Sequence, residues 1–377
     1  MAKTVVIIGG SYAGVHIAHY LLKQKIPDVK VIIISKSSHF YWNIASVRAI
    51  VPGQITDEQL FTPLSAAFER YPSGSWEIIV GSAGKVDPTT HTVLVSAASN
   101  GGAGDRTITY DQLVLATGSR STTSTVPWKN LSSYDETVSL LDATRERVKT
   151  AKHIVVAGAG ATGIEVAGEL GCEYHGKEDK EVTLLSGGPS LMDGDSVGVA
   201  AKAELVKLGV QIKLDARVAG SKDLPDGRTE VSLVNGETIV ADLYLPTMGM
   251  RANTEMLDSQ YLTEKGFVAV DEFYRVKDLE SQGVWALGDV VSKPRAGFLI
   301  TQKQAAGVAK NIELALNDKK PQTVKLMPVD VVACAVGRNR GAGRMGPVKM
   351  PSTMVWLAKG RTLALQRMAG YIDGSVA

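Results

Sequence analysis

The sequence predicts an α/β fold in which one strand–turn–helix–strand unit occurs twice, followed by a small C-terminal α+β segment. Three observations predict it. The apolar run Val5-Val6-Ile7-Ile8 leads into a glycine turn, Gly9-Gly10-Ser11-Tyr12-Ala13-Gly14, then a helical stretch to about residue 25 and a β-rich run at 29–34. The same order returns with His153-Ile154-Val155-Val156-Ala157, the turn Gly158-Ala159-Gly160-Ala161-Thr162-Gly163, a helix, and Glu181-Val182-Thr183-Leu184-Leu185. The strand runs are largely apolar without alternation, as expected of parallel strands covered on both faces.

Each unit reads as a Rossmann-like dinucleotide-binding domain. After the second one, Asp242-Leu243-Tyr244-Leu245-Pro246-Thr247 and Gly283-Val284-Trp285-Ala286-Leu287-Gly288-Asp289 return the chain to the first. The second domain is therefore inserted in the first: residues 1–126 and 246–323 form one domain, 127–245 the other, and 324–377 the C-terminal segment. A chain of 377 residues suits two or three such units. Between the repeats, strands are expected around 76–96, a loop at 100–105 and a buried strand at Leu113-Val114-Leu115-Ala116. A Ser/Thr-rich linker at 119–125 and a charged helix at about 139–149 follow.

Composition excludes several functions. The net charge of +2 offers no electrostatic case for nucleic acid as the main partner. The only cysteines, Cys172 and Cys334, form no CxxC pair, which argues against a disulfide scaffold, a thiolate metal site and a redox dithiol. The six histidines show no metal-ligand spacing; His16 and His19 read as packing or surface residues, and Cys172 as a bystander in a loop. No metal is expected. No apolar run of about 18 residues is present, so a spanning helix is not expected, and the start resembles no signal peptide. The expected location is the cytoplasm, with peripheral attachment to a membrane as the variant.

The glycines carry the chemistry. A dinucleotide turn needs them for a tight bend, for close approach of a pyrophosphate, and for helix–strand packing, with the phosphate on the helix N-terminus. Gly9, Ser11 and Gly14 stand at these places in the first turn, Gly158, Gly160 and Gly163 in the second. Two such turns in the right context are a strong signal where one is weak. An acid for the ribose 2′-OH belongs at the end of the next strand. Ser35 and Ser186 stand there instead, so nothing repels a 2′-phosphate in the second unit. NADPH is then as plausible as NADH, although no nearby arginine argues for the phosphate. Thr117-Gly118 reads as a turn between domains, and Asp289 as a strand-end carboxylate beside a helix start, placed to accept from ribityl hydroxyls.

The order GGSYAG, LVLATGSR, GAGATGIEVAGEL and VWALGDV resembles the pyridine-nucleotide-linked flavin reductases over about residues 3–320. His39-Phe40-Tyr41-Trp42-Asn43 with Arg48, and the tail from 337 to 360, resemble more narrowly the apoptosis-inducing-factor-like, mitochondrion-associated family, which includes the ferroptosis-suppressing quinone reductase. The resemblance implies FAD and NAD(P)H as cofactors. It implies FAD contacts from the first turn (Gly9, Gly10, Ser11, Tyr12, Ala13, Gly14), Arg48, the backbone of Ala83, Thr117, Gly118 and Asp289. It places Glu165 near the nicotinamide and Lys129 near the flavin, with Gly158, Gly160, Gly163 and Ser186 around NAD(P)H. Ser35 departs from the family's usual acid, and Met1-Ala2 lacks the glycine that myristoylation requires.

The expected reaction passes hydride from NAD(P)H to flavin and electrons onward to a quinone-like acceptor, with a pocket around Phe298, Met345 and Trp356. The alternatives are a flavin-dependent biosynthetic oxidase or monooxygenase, and a slow redox-signalling protein. The run at 350–357 is apolar enough for a quinone site or membrane contact, and equally for ordinary core or a homodimer surface. Arg338, Arg340, Arg344 and Lys349 make the tail locally basic, which suits a solvated loop or an anionic membrane surface.

Overall fold

The computed structural model describes residues 3–24, 26–97, 104–123, 125–129, 132–177 and 180–377. The expected loop at 100–105 and the charged turn at 177–181 lie partly outside them. The first sheet has seven strands. Its parallel part runs in the order Val284–Ala286, Gln112–Leu115, Lys3–Ile8, Val29–Ser35 and Trp76–Asp87. Thr92–Ala97 and Arg106–Thr109 extend it antiparallel. Strands from before and after the second unit thus lie side by side, so that unit is an insertion. Val5, Val6, Ile7, Val31, Leu113, Val114 and Leu115 are sealed from water, which is why these runs carry no polar alternation.

The second sheet repeats the plan with four parallel strands ordered Gln211–Lys213, Glu181–Leu185, His153–Ala157 and Leu243–Pro246. A three-stranded antiparallel ribbon, Val218–Asp223, Thr229–Leu233 and Thr238–Ala241, packs beside it. In both sheets the glycine turns leave the carboxyl ends of the strands, where open α/β sheets bind ligands.

Four local expectations are corrected. The linker at 119–125 begins with a strand: Ser119–Ser121 pairs with Met250–Ala252, because the outgoing and returning chains cross side by side. Asn253 completes that crossing by donating to the Thr117 carbonyl at 2.8 Å. Cys172 lies in the helix Ala161–Tyr174 rather than a loop. The helix expected at 139–149 starts earlier, at Tyr134, where Ser133 and Glu136 form a capping box.

The basic tail is not a solvated loop either. It forms an antiparallel sheet of Val331–Val336, Arg340–Met345 and Val348–Met350. Two of its arginines are spent internally: Arg344 pairs with Asp195 at 2.7 Å and Asp330 at 2.9 Å, and Arg338 with Glu173 at 2.5 Å, while Arg340 stays more than half exposed. Among the described residues, no helix is long and apolar enough to cross a membrane.

Candidate cofactor and nicotinamide sites

The first turn closes by contact. Gly9 has φ +126, and a Cβ there would lie 2.3 Å from the Ala116 carbonyl oxygen. A Cβ on Gly14 would lie 1.9 Å from the oxygen of Gly9, and one on Gly10 would meet Leu64 and Ser35. The three glycines of the turn are therefore demanded by packing before any ligand is considered. Ser11 is different: it is exposed, and its hydroxyl makes no cap to the helix Tyr12–Lys23 behind it.

The rest of the first site gathers at neighbouring strand ends. Thr117 donates to the Asn253 carbonyl at 2.7 Å, and Gly118, at φ +67, has open space where a side chain would stand. Asp289 sits in the short turn Gly288–Val290, fixed because buried Gln304 accepts from the Gly288 N–H at 2.8 Å. Its carboxylate is ion-paired with Lys129, and the Ser119 hydroxyl lies 3.4 Å from the same oxygen. Burial pushes the Lys129 ammonium down to about 8. Thr117, Gly118, Lys129 and Asp289 thus converge beside the first turn. Ala83 lies at a bulge in the strand Trp76–Asp87, three residues beyond Val80, which pairs with Ser35.

Two expected contacts are otherwise engaged. Tyr12 packs edge-on against Phe40, Trp42, Phe298 and Tyr371 at centroid distances of 5.2–5.5 Å, and donates to Asn43 at 2.9 Å. Arg48 is buried and forks onto Glu169 at 2.7 and 2.8 Å, while also donating to the carbonyls of Gly360 and Arg361. Four of its donor contacts are therefore made within the chain, tying the first domain to the helix Ala161–Tyr174 and to the tail. The residues of the expected acceptor pocket, Phe298, Met345 and Trp356, each have their own surroundings. Phe298 belongs to the aromatic cluster, Trp356 donates to the Arg338 carbonyl, and Met345 is exposed at a strand end.

The second turn repeats the first. Gly158 has φ +106, and a Cβ on Gly163 would lie 1.8 Å from the Gly158 oxygen. Thr247 stitches the turn by donating to the carbonyls of Ala157 and Gly158 at 2.9 Å. A Cβ on Gly160 would meet nothing within 4 Å, so that position is left bare toward open space. Such a cradle suits a pyrophosphate approaching the backbone at a helix N-terminus, and the residues at both turns fit a dinucleotide. Ser186 is buried and donates to the Ser190 carbonyl at 2.8 Å.

Glu165 does not lie open to this crevice. It is 5% exposed, accepts from the Ala335 N–H at 2.9 Å and pairs with Lys359 at 2.5 Å. Burial opposes the charge on Lys359, but the Glu165 carboxylate outweighs it and holds the ammonium above its ordinary value. The adjacent Cys334 thiol is pushed well up by burial and by Glu165, and donates to the Ala161 carbonyl. Glu165, Glu169 and Glu173 recur every four residues on one helix face, and each is paired: with Lys359, Arg48 and Arg338. The sequence showed that spacing, yet the partners lie over a hundred positions away.

The family described as pyridine nucleotide-disulphide oxidoreductase matches residues 3–316. "Oxidoreductase ptaL" of Pestalotiopsis fici is 38% identical, covering 99% of this chain and 100% of the relative. Ferroptosis suppressor protein 1 of Homo sapiens is 27% identical over 96% of this chain and 94% of its own. Among solved structures, the sulfide:quinone oxidoreductase of Aquifex aeolicus aligns with a TM-score of 0.73 at 18% identity, covering 100% of this chain and 93% of its own. Two glycine turns, the insertion and these relatives agree: the chain belongs to the pyridine nucleotide-disulphide oxidoreductase family, as a flavoprotein using FAD and NAD(P)H.

Proposed function

We propose that the protein takes a hydride from NAD(P)H and passes two electrons to a quinone-type small molecule, by way of FAD. The observation that carries this reading is the absence of a redox dithiol in a chain of this family. Cys334 is buried beside Glu165, Cys172 is half-buried on a helix, and no CxxC exists. No dithiol relay is therefore available within the chain, which supports an acceptor that meets the flavin directly. When bound, FAD would supply the two-electron chemistry that links the nicotinamide to the acceptor. The balance is NAD(P)H, a proton and a quinone giving NAD(P)⁺ and a hydroquinone.

The chain's own residues supply binding and position. The N–H groups of the first turn would hold the flavin pyrophosphate, Asp289 would accept from ribityl hydroxyls, and Lys129 would keep a positive charge beside it. Gly158, Gly160 and Gly163 would receive the nicotinamide dinucleotide. Glu165 is a positioning residue: through Lys359 and the Ala335 N–H it fixes the C-terminal sheet against the helix that carries the second turn. Val348 and Leu357, 66% and 61% exposed on that segment, support access for an apolar acceptor or a membrane surface.

Anaerobic turnover of the flavin-loaded protein with NADH or NADPH and a soluble quinone tests the proposal. One hydroquinone per reduced nicotinamide is expected. In a parallel aerobic assay, oxygen consumption without quinone turnover would overturn the acceptor in favour of an oxidase or, where oxygen is incorporated into a product, a monooxygenase. Glu165→Gln, which keeps the shape but loses the charge, should slow flavin reduction on the order of 100-fold in stopped flow and leave reoxidation by quinone little changed. Wild-type reduction with lowered thermal stability would make Glu165 a purely structural residue.

A further inference from the structure

The second strand end holds a cation that the local sequence hides. Ser186 stands where an acid would grip a ribose 2′-OH, but its hydroxyl is committed to the Ser190 carbonyl at 2.8 Å. The next two residues, Gly187 and Gly188, have no side chains to offer. The segment 215–217 runs alongside them. The Ala216 N–H donates to the Ser186 carbonyl at 2.8 Å, and the Asp215 N–H to the Gly188 carbonyl at 3.0 Å. Arg217 consequently lies over Gly187: a Cβ on that glycine would sit 3.7–3.8 Å from the Arg217 Cα, Cβ and Cγ. The structure therefore corrects the expectation that no arginine is near this strand end.

The guanidinium is available. Arg217 is exposed, and its side chain makes no hydrogen bond, ion pair or ring contact among the described residues. The neighbouring cation, Lys213, is spent on Glu237. A free guanidinium offers a planar fork of donors that matches a phosphate, and it is always charged. The loop beneath it is bare, since a Cβ on Gly188 would meet nothing within 4 Å. Asp215, exposed at φ +53, is the opposing charge on the same segment.

We propose that Arg217 makes this strand end a 2′-phosphate subsite, so that NADPH is the preferred reductant. The proposal rests on the oxidoreductase reading above and adds the choice of nucleotide. Arg217 acts on binding of the adenosine half of the cofactor and takes no part in hydride transfer.

Equilibrium binding of NADP⁺ and NAD⁺ to the flavin-loaded protein, by calorimetry, tests it without turnover. The wild type should bind NADP⁺ at least about tenfold more tightly than NAD⁺. Arg217→Ala should weaken NADP⁺ at least about tenfold and leave NAD⁺ within about twofold, with Arg217→Lys between. Added salt should weaken NADP⁺ more than NAD⁺. Unchanged NADP⁺ affinity in Arg217→Ala would overturn the proposal. So would an equal loss for both nucleotides, which is what stacking on adenine would give. Asp215→Asn should improve NADP⁺ binding modestly; no change in either nucleotide with Arg217→Ala, against a large change with Asp215→Asn, would assign the choice to Asp215 instead. A wild type that binds neither nucleotide would overturn the oxidoreductase reading itself.

Discussion

The two glycine turns differ less in how they are built than in what their helices bury. Gly9 and Gly158 both take positive φ, +126 and +106, and Gly14 and Gly163 close on their carbonyls at distances no Cβ could share. Two residues after the closing glycine the helices part company. The opening helix buries His16, and the repeat helix buries Glu165 at the same place; one turn on, Tyr20 stands where Glu169 does. Burial pushes His16 and His19 down to about 4, so both are neutral near pH 7, and His16 Nδ1 and His19 Nε2 have no partner among the described residues. Glu165 and Glu169 are instead matched by cations from elsewhere in the chain. A titratable group out of water must lose its charge or find a partner, and each helix follows one of these courses.

The largest break in that contrast should come from Glu169→Ala. It strands the Arg48 guanidinium, whose side chain is 7% exposed, and should cost about 3–5 kcal/mol by chemical denaturation of the flavin-loaded protein. Tyr20→Phe, at the equivalent place, removes only a hydroxyl that donates to Glu313 at 2.6 Å and should cost about 1–2 kcal/mol. Equal losses would mean that pairing is no more demanding than an ordinary hydrogen bond here.

Acid should single out the opening helix. For both histidines the folded value, about 4, lies below the ordinary 6.5, so between these values the unfolded chain binds more protons. Stability therefore falls as pH drops through that window, by up to about 3 kcal/mol for each histidine. His16→Leu should flatten the profile between pH 6.5 and 4 in thermal melts; an unaltered slope would place the acid sensitivity elsewhere.

The smallest effect should come from exchanging the middle residues of the turns. Ser11 is exposed, and a side chain at Gly160 would meet nothing within 4 Å, so Ser11→Gly and Gly160→Ser should each change stability by less than about 0.5 kcal/mol. Nucleotide affinity is the sharper measure. If Gly160→Ser weakens NAD(P)⁺ by more than about tenfold while Ser11→Gly leaves flavin content alone, the second turn needs bare backbone where the first does not.

The local rules were legible in the chain itself. Both turns, their strands, the insertion and the strand-end aspartate follow from short segments, because a tight turn, a buried strand and a helix start are decided by residues within a few positions of one another. The misread places have two causes. The helix that holds Cys172 runs on to Tyr174, and the next misplaced helix starts at a local capping box, so these are local signals underread. Residues 119–121 lie in a strand because of a pairing across the fold, and Arg338 and Arg344 of the tail are neutralised by the remote Glu173, Asp195 and Asp330. Arg48 could be aligned to a flavin contact by its motif, but that its guanidinium grips Glu169 and the tail could be seen only in three dimensions.

The sequence by itself thus determined the architecture and the kind of ligand, since the closing glycines Gly14 and Gly163 must clear the carbonyls of Gly9 and Gly158 in their own turns, a steric demand set within a few positions. Tertiary structure decided which charges are available: Glu165 is bound to Lys359, Lys129 to Asp289, while Arg217 over Gly187 has no side-chain partner among the described residues. Whether a charged side chain serves a ligand or its own fold depends on what lies within about 4 Å of it, and those neighbours come from remote parts of the chain.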